Sequence, residues 1–160
     1  MQPDAQNFRV GIVSAHARAD IVGPLVTGTT NALVDRGVAR RDIVYTHVTR
    51  PFDLPFAAEM LMRHERHELD GVICLGLLVR DTLQDKFDAE SQAVAQGIMK
   101  LNVKGDVPVV YGVLTCVSQQ QAQKFLGEDG GVSADHGFEW AKALVNLIRI
   151  NRELSQPHVV

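Results

Sequence analysis

The sequence predicts an α/β fold, a parallel sheet with helices packed on both faces. Short apolar runs rich in valine and isoleucine alternate with longer segments of helical spacing from one end to the other, the pattern of repeated strand–helix units. The connections between them are short, which keeps consecutive elements adjacent. The run "DGVICLGLLV" (Asp70–Val79) is apolar almost without interruption, as expected of a strand buried on both faces in a parallel sheet.

"FRVGIVSA" (Phe8–Ala15) reads as the first strand. In the next segment Ile21, Val22, Leu25, Val26, Ala32 and Leu33 recur at helical spacing, with Pro24 suited to a first turn and Gly37 to a C-terminal stop. "DIVYTHV" (Asp42–Val48) is a second strand, and Pro55–Leu69 a helix with Phe56, Met60, Leu61 and His64 near one face. After the third strand (Asp70–Val79), Asp88–Val103 reads as a helix with Ala93, Val94, Gly97, Ile98 and Leu101 inward. "VPVVYGVLT" (Val107–Thr115) is the fourth strand. A short helix runs from Ser118, a good N-cap, to Gly127. The stretch "EDGGVSADHG" then reads as a Gly-rich loop before a last helix from about Phe138 to Leu154. Residues 1–8 and 155–160 are expected to be loose.

One domain of 160 residues fits this plan, with no repeat, linker or low-complexity segment. Apolar residues make up 46% and charged residues 22%, as in a folded globular chain. A net charge of −3 supplies no basic footprint for nucleic acid. No apolar run approaches the roughly 20 residues that a membrane span needs, and the N-terminus lacks the blocks of a signal peptide. Cys74 and Cys116 both lie in apolar segments, so the expectation is two buried free thiols in a reducing compartment, the cytoplasm by default.

Among short motifs, "HERH" (His64–His67) puts two histidines on one helix face but lacks the zinc-hydrolase spacing, and a solvated helix end is the simpler reading. The glycines of "GEDGG" follow a helix and lack the lysine and hydroxyl residue of a phosphate loop. Neither Gly71 nor Gly76 belongs to a dinucleotide fingerprint. Three segments remain, each at the carboxyl end of a predicted strand: "SAHARAD", "TRPFDLP" and "RDTLQDKFD". Parallel strands bring such loops to one rim, where α/β proteins keep their ligands. They offer His16, Arg18, Arg50, Asp53, Arg80 and Lys86, a set suited to an anionic small molecule. A charged rim with no ligand has the same composition.

In order along the chain, these segments resemble lumazine synthase, the riboflavin-pathway enzyme that makes 6,7-dimethyl-8-ribityllumazine. The likeness runs from about Arg9 to Leu147. It rests on "GIV" and the following helix to Gly37, on Thr49–Pro55, on "VVYGVLTC", and on "GGVSADHGFEWA", which is similar to fungal and plant-like members. The resemblance implies a flavodoxin-like three-layer sandwich with a four-stranded parallel sheet and no cofactor. It also implies a homopentamer with active sites shared between neighbours. The stretch Gly127–Gly137 resembles the longer loop of members that stop at a pentamer rather than a capsid. The family joins a ribitylamino-pyrimidinedione to a four-carbon dihydroxybutanone phosphate: an amine forms an imine with the ketone, phosphate leaves and a ring closes.

Several positions depart from the family pattern. An ungapped match puts Ala17 where the family has a stacking aromatic, beside His16 and Arg18, and alanine cannot stack. Arg50–Pro51 stand where the family has glycine and a small residue, followed by Phe52 and Asp53. The segment after the third strand, with Arg80, Asp81 and Thr82, is one residue longer than the family's, and anchoring on the next helix puts Lys86 at the proton-moving histidine. Phe125 replaces the phosphate-clamping arginine, with Lys124 adjacent. His136 falls in the His-Gly segment. Three functions stay open. The family reaction can persist, since much of it is positioning. The pocket can serve another carbonyl substrate, with Lys86 in acid–base or imine chemistry helped by His16, Asp85 and Asp88; a carboxylate beside Lys86 would favour the charged amine and oppose a nucleophilic role. Or the chain binds a flavin-like ligand, or acts as a scaffold, without catalysis.

Overall fold

The computed structural model describes residues 3–64, 68–80, 84–125 and 131–156. The strands are β1 (Val10–Ala15), β2 (Ile43–Val48), β3 (Gly71–Val79) and β4 (Val109–Cys116). The helices are α1 (Ala19–Asp35), α2 (Leu54–His64), α3 (Gln84–Lys104), α4 (Gln119–Lys124) and α5 (Gly131–Ser155). The strands form a four-stranded sheet in the order β2-β1-β3-β4, and every neighbouring pair is parallel. Helices cover both faces, as the alternating strand and helix segments predict, in the flavodoxin-like α/β sandwich that the family resemblance implies.

Strand alternation explains the two layers. Side chains of a strand point alternately to opposite faces, so Val10, Ile12, Ile73, Leu75, Leu77 and Val110 enter one core with Leu25 and Leu33 of α1 and Leu144, Val145 and Ile148 of α5. Val13, Ala15, Val72, Cys74, Leu78, Val109 and Val113 enter the other, with Leu54 and Ala58 of α2 and Val94, Ile98 and Leu101 of α3. All of β1, and β3 up to Leu78, are buried.

Several boundaries differ from the sequence reading. α1 begins at Ala19, so Pro24 sits inside the helix rather than in its first turn. Gly37 has φ +105°, the left-handed conformation that suits glycine just beyond a helix end. α2 is described as far as His64 and Glu68–Leu69 are not helical, so it falls short of the expected Leu69; Glu65–His67 of "HERH" lie outside the described residues. α3 starts at Gln84, so Lys86 belongs to its first turn. Ser118 caps α4 by accepting a hydrogen bond from Gln121 N–H at 3.1 Å, and this helix ends at Lys124 rather than near Gly127. The largest revision is α5, which is helical from Gly131, where the sequence suggests a loop to Gly137. Tertiary packing overrides the low helix propensity of glycine here: a Cβ on Gly137 would stand 2.6 Å from Thr29 N and 2.7 Å from Gly28 C, because α5 presses on the α1 backbone. The N-terminal arm is also held: Asp4 and Ala5 N–H both donate to the Arg36 carbonyl at 2.9 Å, and Arg36 Nη1 donates to Asp4 Oδ2 at 2.7 Å.

Both cysteines are free and buried. Burial pushes the Cys74 thiol up to about 12 and raises that of Cys116, against a smaller opposing effect of Arg18.

Two expectations follow for stability. Gly137→Ala forces a methyl group into the α1 backbone and costs about 1–3 kcal/mol; an unchanged urea midpoint would contradict the close crossing. The unfolded Cys74 thiol ionises above its ordinary value of 9.0 while the folded one keeps its proton. The folded state then binds more protons, so stability falls with rising pH above that value, by at most about 1.4 kcal/mol per pH unit. Comparing urea midpoints at alkaline pH with those of Cys74→Ala isolates this contribution, which the variant lacks.

Candidate functional site

A cavity of about 760 Å³ opens at the carboxyl-terminal rim of the sheet, within the size range of small-molecule sites. Its floor is the end of β3, Leu77, Leu78 and Val79. One wall comes from the single turn after β1, with Ala17 and Arg18, and another from the turn after β2, with Arg50, Pro51 and Phe52. α3 closes the far side with Lys86, Ala89, Glu90 and Ala93. These four stand at i, i+3, i+4 and i+7, one stripe of a helix. Gln119, the first residue of α4, completes the described lining.

The two arginines are already engaged. Arg18 presents its fork to Asp20, with Nε to Oδ1 at 3.1 Å and Nη2 to Oδ2 at 3.0 Å, and Nη1 donates to Gln119 Oε1 at 2.6 Å. The hydrogen bond from Arg18 holds the Asp20 carboxyl below its usual range, and the same contact raises Arg18. Arg50 reaches Asp53 through Nε and Nη2, both at 3.4 Å. Lys86 is different: among the described residues it forms no hydrogen bond or ion pair. Phe52 is 52% exposed and offers a ring at the mouth.

The cavity therefore gathers Ala17, Arg18, Arg50, Pro51, Phe52 and Lys86 of the residues singled out in the sequence. Asp53 stands behind Arg50 as its partner. Its described lining does not include the others. His16 turns to the β2 side of β1 and stacks on His47, ring centroids 4.4 Å apart and planes within 5°. It borders a smaller cavity with Ser14, Tyr45 and Thr46. Asp85 and Asp88 are exposed on α3, off the stripe of Lys86. Arg80 N–H donates to the Cys116 carbonyl at 2.8 Å, which locks the end of β3 to β4. Lys124 is exposed at the end of α4. Phe125 and His136 form an aromatic layer with Trp140, His136 lying 5.8 Å from Phe125 and 5.3 Å from Trp140. Asp81 and Thr82 lie outside the described residues.

Leu77, Leu78, Val79, Ala89, Glu90, Ala93 and Gln119 line the cavity without having been singled out. Helical spacing counted from Lys86 would have reached Ala89, Glu90 and Ala93. Nothing local marks Gln119, whose contact with Arg18 spans 101 positions. Among the described residues no group of three or more His, Cys, Asp or Glu is placed to hold a metal ion, and no helix is long and apolar enough to cross a membrane.

Comparison with known proteins agrees with this geometry. The family described as 6,7-dimethyl-8-ribityllumazine synthase matches residues 7–152. A 6,7-dimethyl-8-ribityllumazine synthase of Porphyromonas gingivalis is 37% identical over 151 residues, covering 94% of this chain and 89% of its own. Those of Parabacteroides distasonis and Phocaeicola vulgatus are 38% and 32% identical, covering 91% and 98% of this chain and 89% and 90% of theirs. With the parallel four-stranded sheet and the rim cavity, a match of this extent shows that the chain belongs to the 6,7-dimethyl-8-ribityllumazine synthase family.

Proposed function

We propose that this chain is a lumazine-synthase-type condensing enzyme of riboflavin biosynthesis with a remodelled pocket. It joins a ribitylamino-pyrimidinedione to dihydroxybutanone phosphate. The observation that carries the reading is the rim cavity, where three separate strand ends and α3 meet over an apolar floor in a chain of this family. A flat heterocycle fits Leu77–Val79 and the ring of Phe52, while the polar groups of Arg50, Lys86, Glu90 and Gln119 fit its substituents. Ala17 leaves the β1 side of the cavity open, so Phe52 takes over as the aromatic wall, and Arg50 brings a cation to the mouth. Acceptance of another carbonyl compound is the second reading, favoured by the amine of Lys86, which lines the cavity and among the described residues forms no hydrogen bond or ion pair.

The working unit is proposed to be a homopentamer, and the compartment the cytoplasm. An uncovered apolar surface supports assembly: Phe56 is 70% and Val103 80% exposed beside a groove of about 680 Å³ between α2 and α3.

Purified protein supplied with both substrates is expected to form lumazine, followed by its absorbance, faster than the uncatalysed mixture. Ala93→Trp fills the cavity from the exposed side of α3 and is expected to lower the catalysed rate by about 10²-fold or more through misplaced reactants. No acceleration by the folded wild type, or full activity with the cavity blocked, would refute the assignment.

A further inference from the structure

Joining an amine to a ketone moves protons in opposite senses: nitrogen must lose them and oxygen must gain them. The described lining of the cavity holds four charged residues, Arg18, Arg50, Lys86 and Glu90. An arginine does not release its proton at working pH, and both guanidinium groups already face a carboxylate. Lys86 and Glu90 are the two that can exchange protons. They stand one turn apart on the cavity stripe of α3, and among the described residues neither is engaged in a hydrogen bond or ion pair. A lysine four residues before a glutamate is the less favourable order for a helix-surface pair, which agrees with two groups that address the cavity rather than each other.

We infer that Glu90 is a catalytic acid–base residue and works with Lys86 as a proton-exchanging pair. The inference rests on the condensing reaction proposed above. In the first half, the substrate amine attacks the ketone carbon and a C–N bond forms. The nitrogen gives a proton to the Glu90 carboxylate, and the former carbonyl oxygen takes one from the Lys86 ammonium. In the second half, the C–O bond breaks and the hydroxyl leaves as water with the proton held by Glu90. The nitrogen gives its remaining proton to the Lys86 amine, and the C=N bond forms. Both side chains return to their starting charges, and one water is released for each imine. The more acidic of the two groups, the carboxylic acid, protonates the leaving hydroxyl, the step that needs the stronger acid. Leu77, Leu78 and Val79 form the apolar floor beside the pair.

The test is the steady-state kinetics of Glu90→Gln, which keeps the size and helix preference of the residue, over a range of pH. The expected result is a fall in kcat of about 10²-fold, with KM little changed and the acid limb of the pH–rate profile lost. Glu90→Ala should recover part of its kcat, saturably, on addition of formate. Wild-type turnover together with an unaltered kcat and acid limb in Glu90→Gln would overturn the role of Glu90 alone. Absence of any wild-type acceleration would instead bring down the condensing reaction, and this inference with it.

Discussion

The structure depends on burying the two inner strands, β1 and β3, on both faces. Crossover helices meet that constraint, because each one joins two parallel strands and lays a cover on one face of the sheet. It also fixes register, since a slip of one residue in β3 would exchange Ile73, Leu75 and Leu77 with Val72, Cys74 and Leu78 between layers. Parallel order sends every carboxyl end to the same rim. The turns after β1 and β2 and the start of α3 therefore meet there, and the apolar end of β3 becomes a cavity floor.

Charge at that rim is more balanced than the sequence suggests. Counting cations there points to a strongly anionic ligand, but Arg18 and Arg50 each carry an acid of their own from two or three residues along. Exposed pairs of this kind add little to stability; their effect here is to set a carboxylate against each guanidinium group. Among the described residues the uncommitted groups are an amine and a carboxylate, which suits chemistry that moves protons more than simple capture of an anion.

The strands were legible because two-sided burial leaves continuous apolar runs, and the rim was legible because parallel topology fixes where loops gather. Helix starts were not. Gln84–Phe87 is too polar to announce a first turn, and the glycines before Phe138 hide a helix that packing against Gly28 and Thr29 sustains. Adjacency to Ala17 in sequence does not set which side of β1 the His16 ring takes; it stacks on His47. Glu90 lies two residues past the rim segment that ends at Asp88, although the period of a helix carries Lys86 to it. Gln119 could be found only by folding the chain.

The central claim is that the rim cavity, rather than the α2–α3 groove or the His16–His47 corner, holds the reacting heterocycle. A crystal structure with the ribitylamino-pyrimidinedione bound tests it most directly. The account predicts the ring over Leu77–Val79, between Phe52 and Glu90, with the amine facing α3. A ring seated elsewhere, with the cavity empty at saturating ligand, would contradict it.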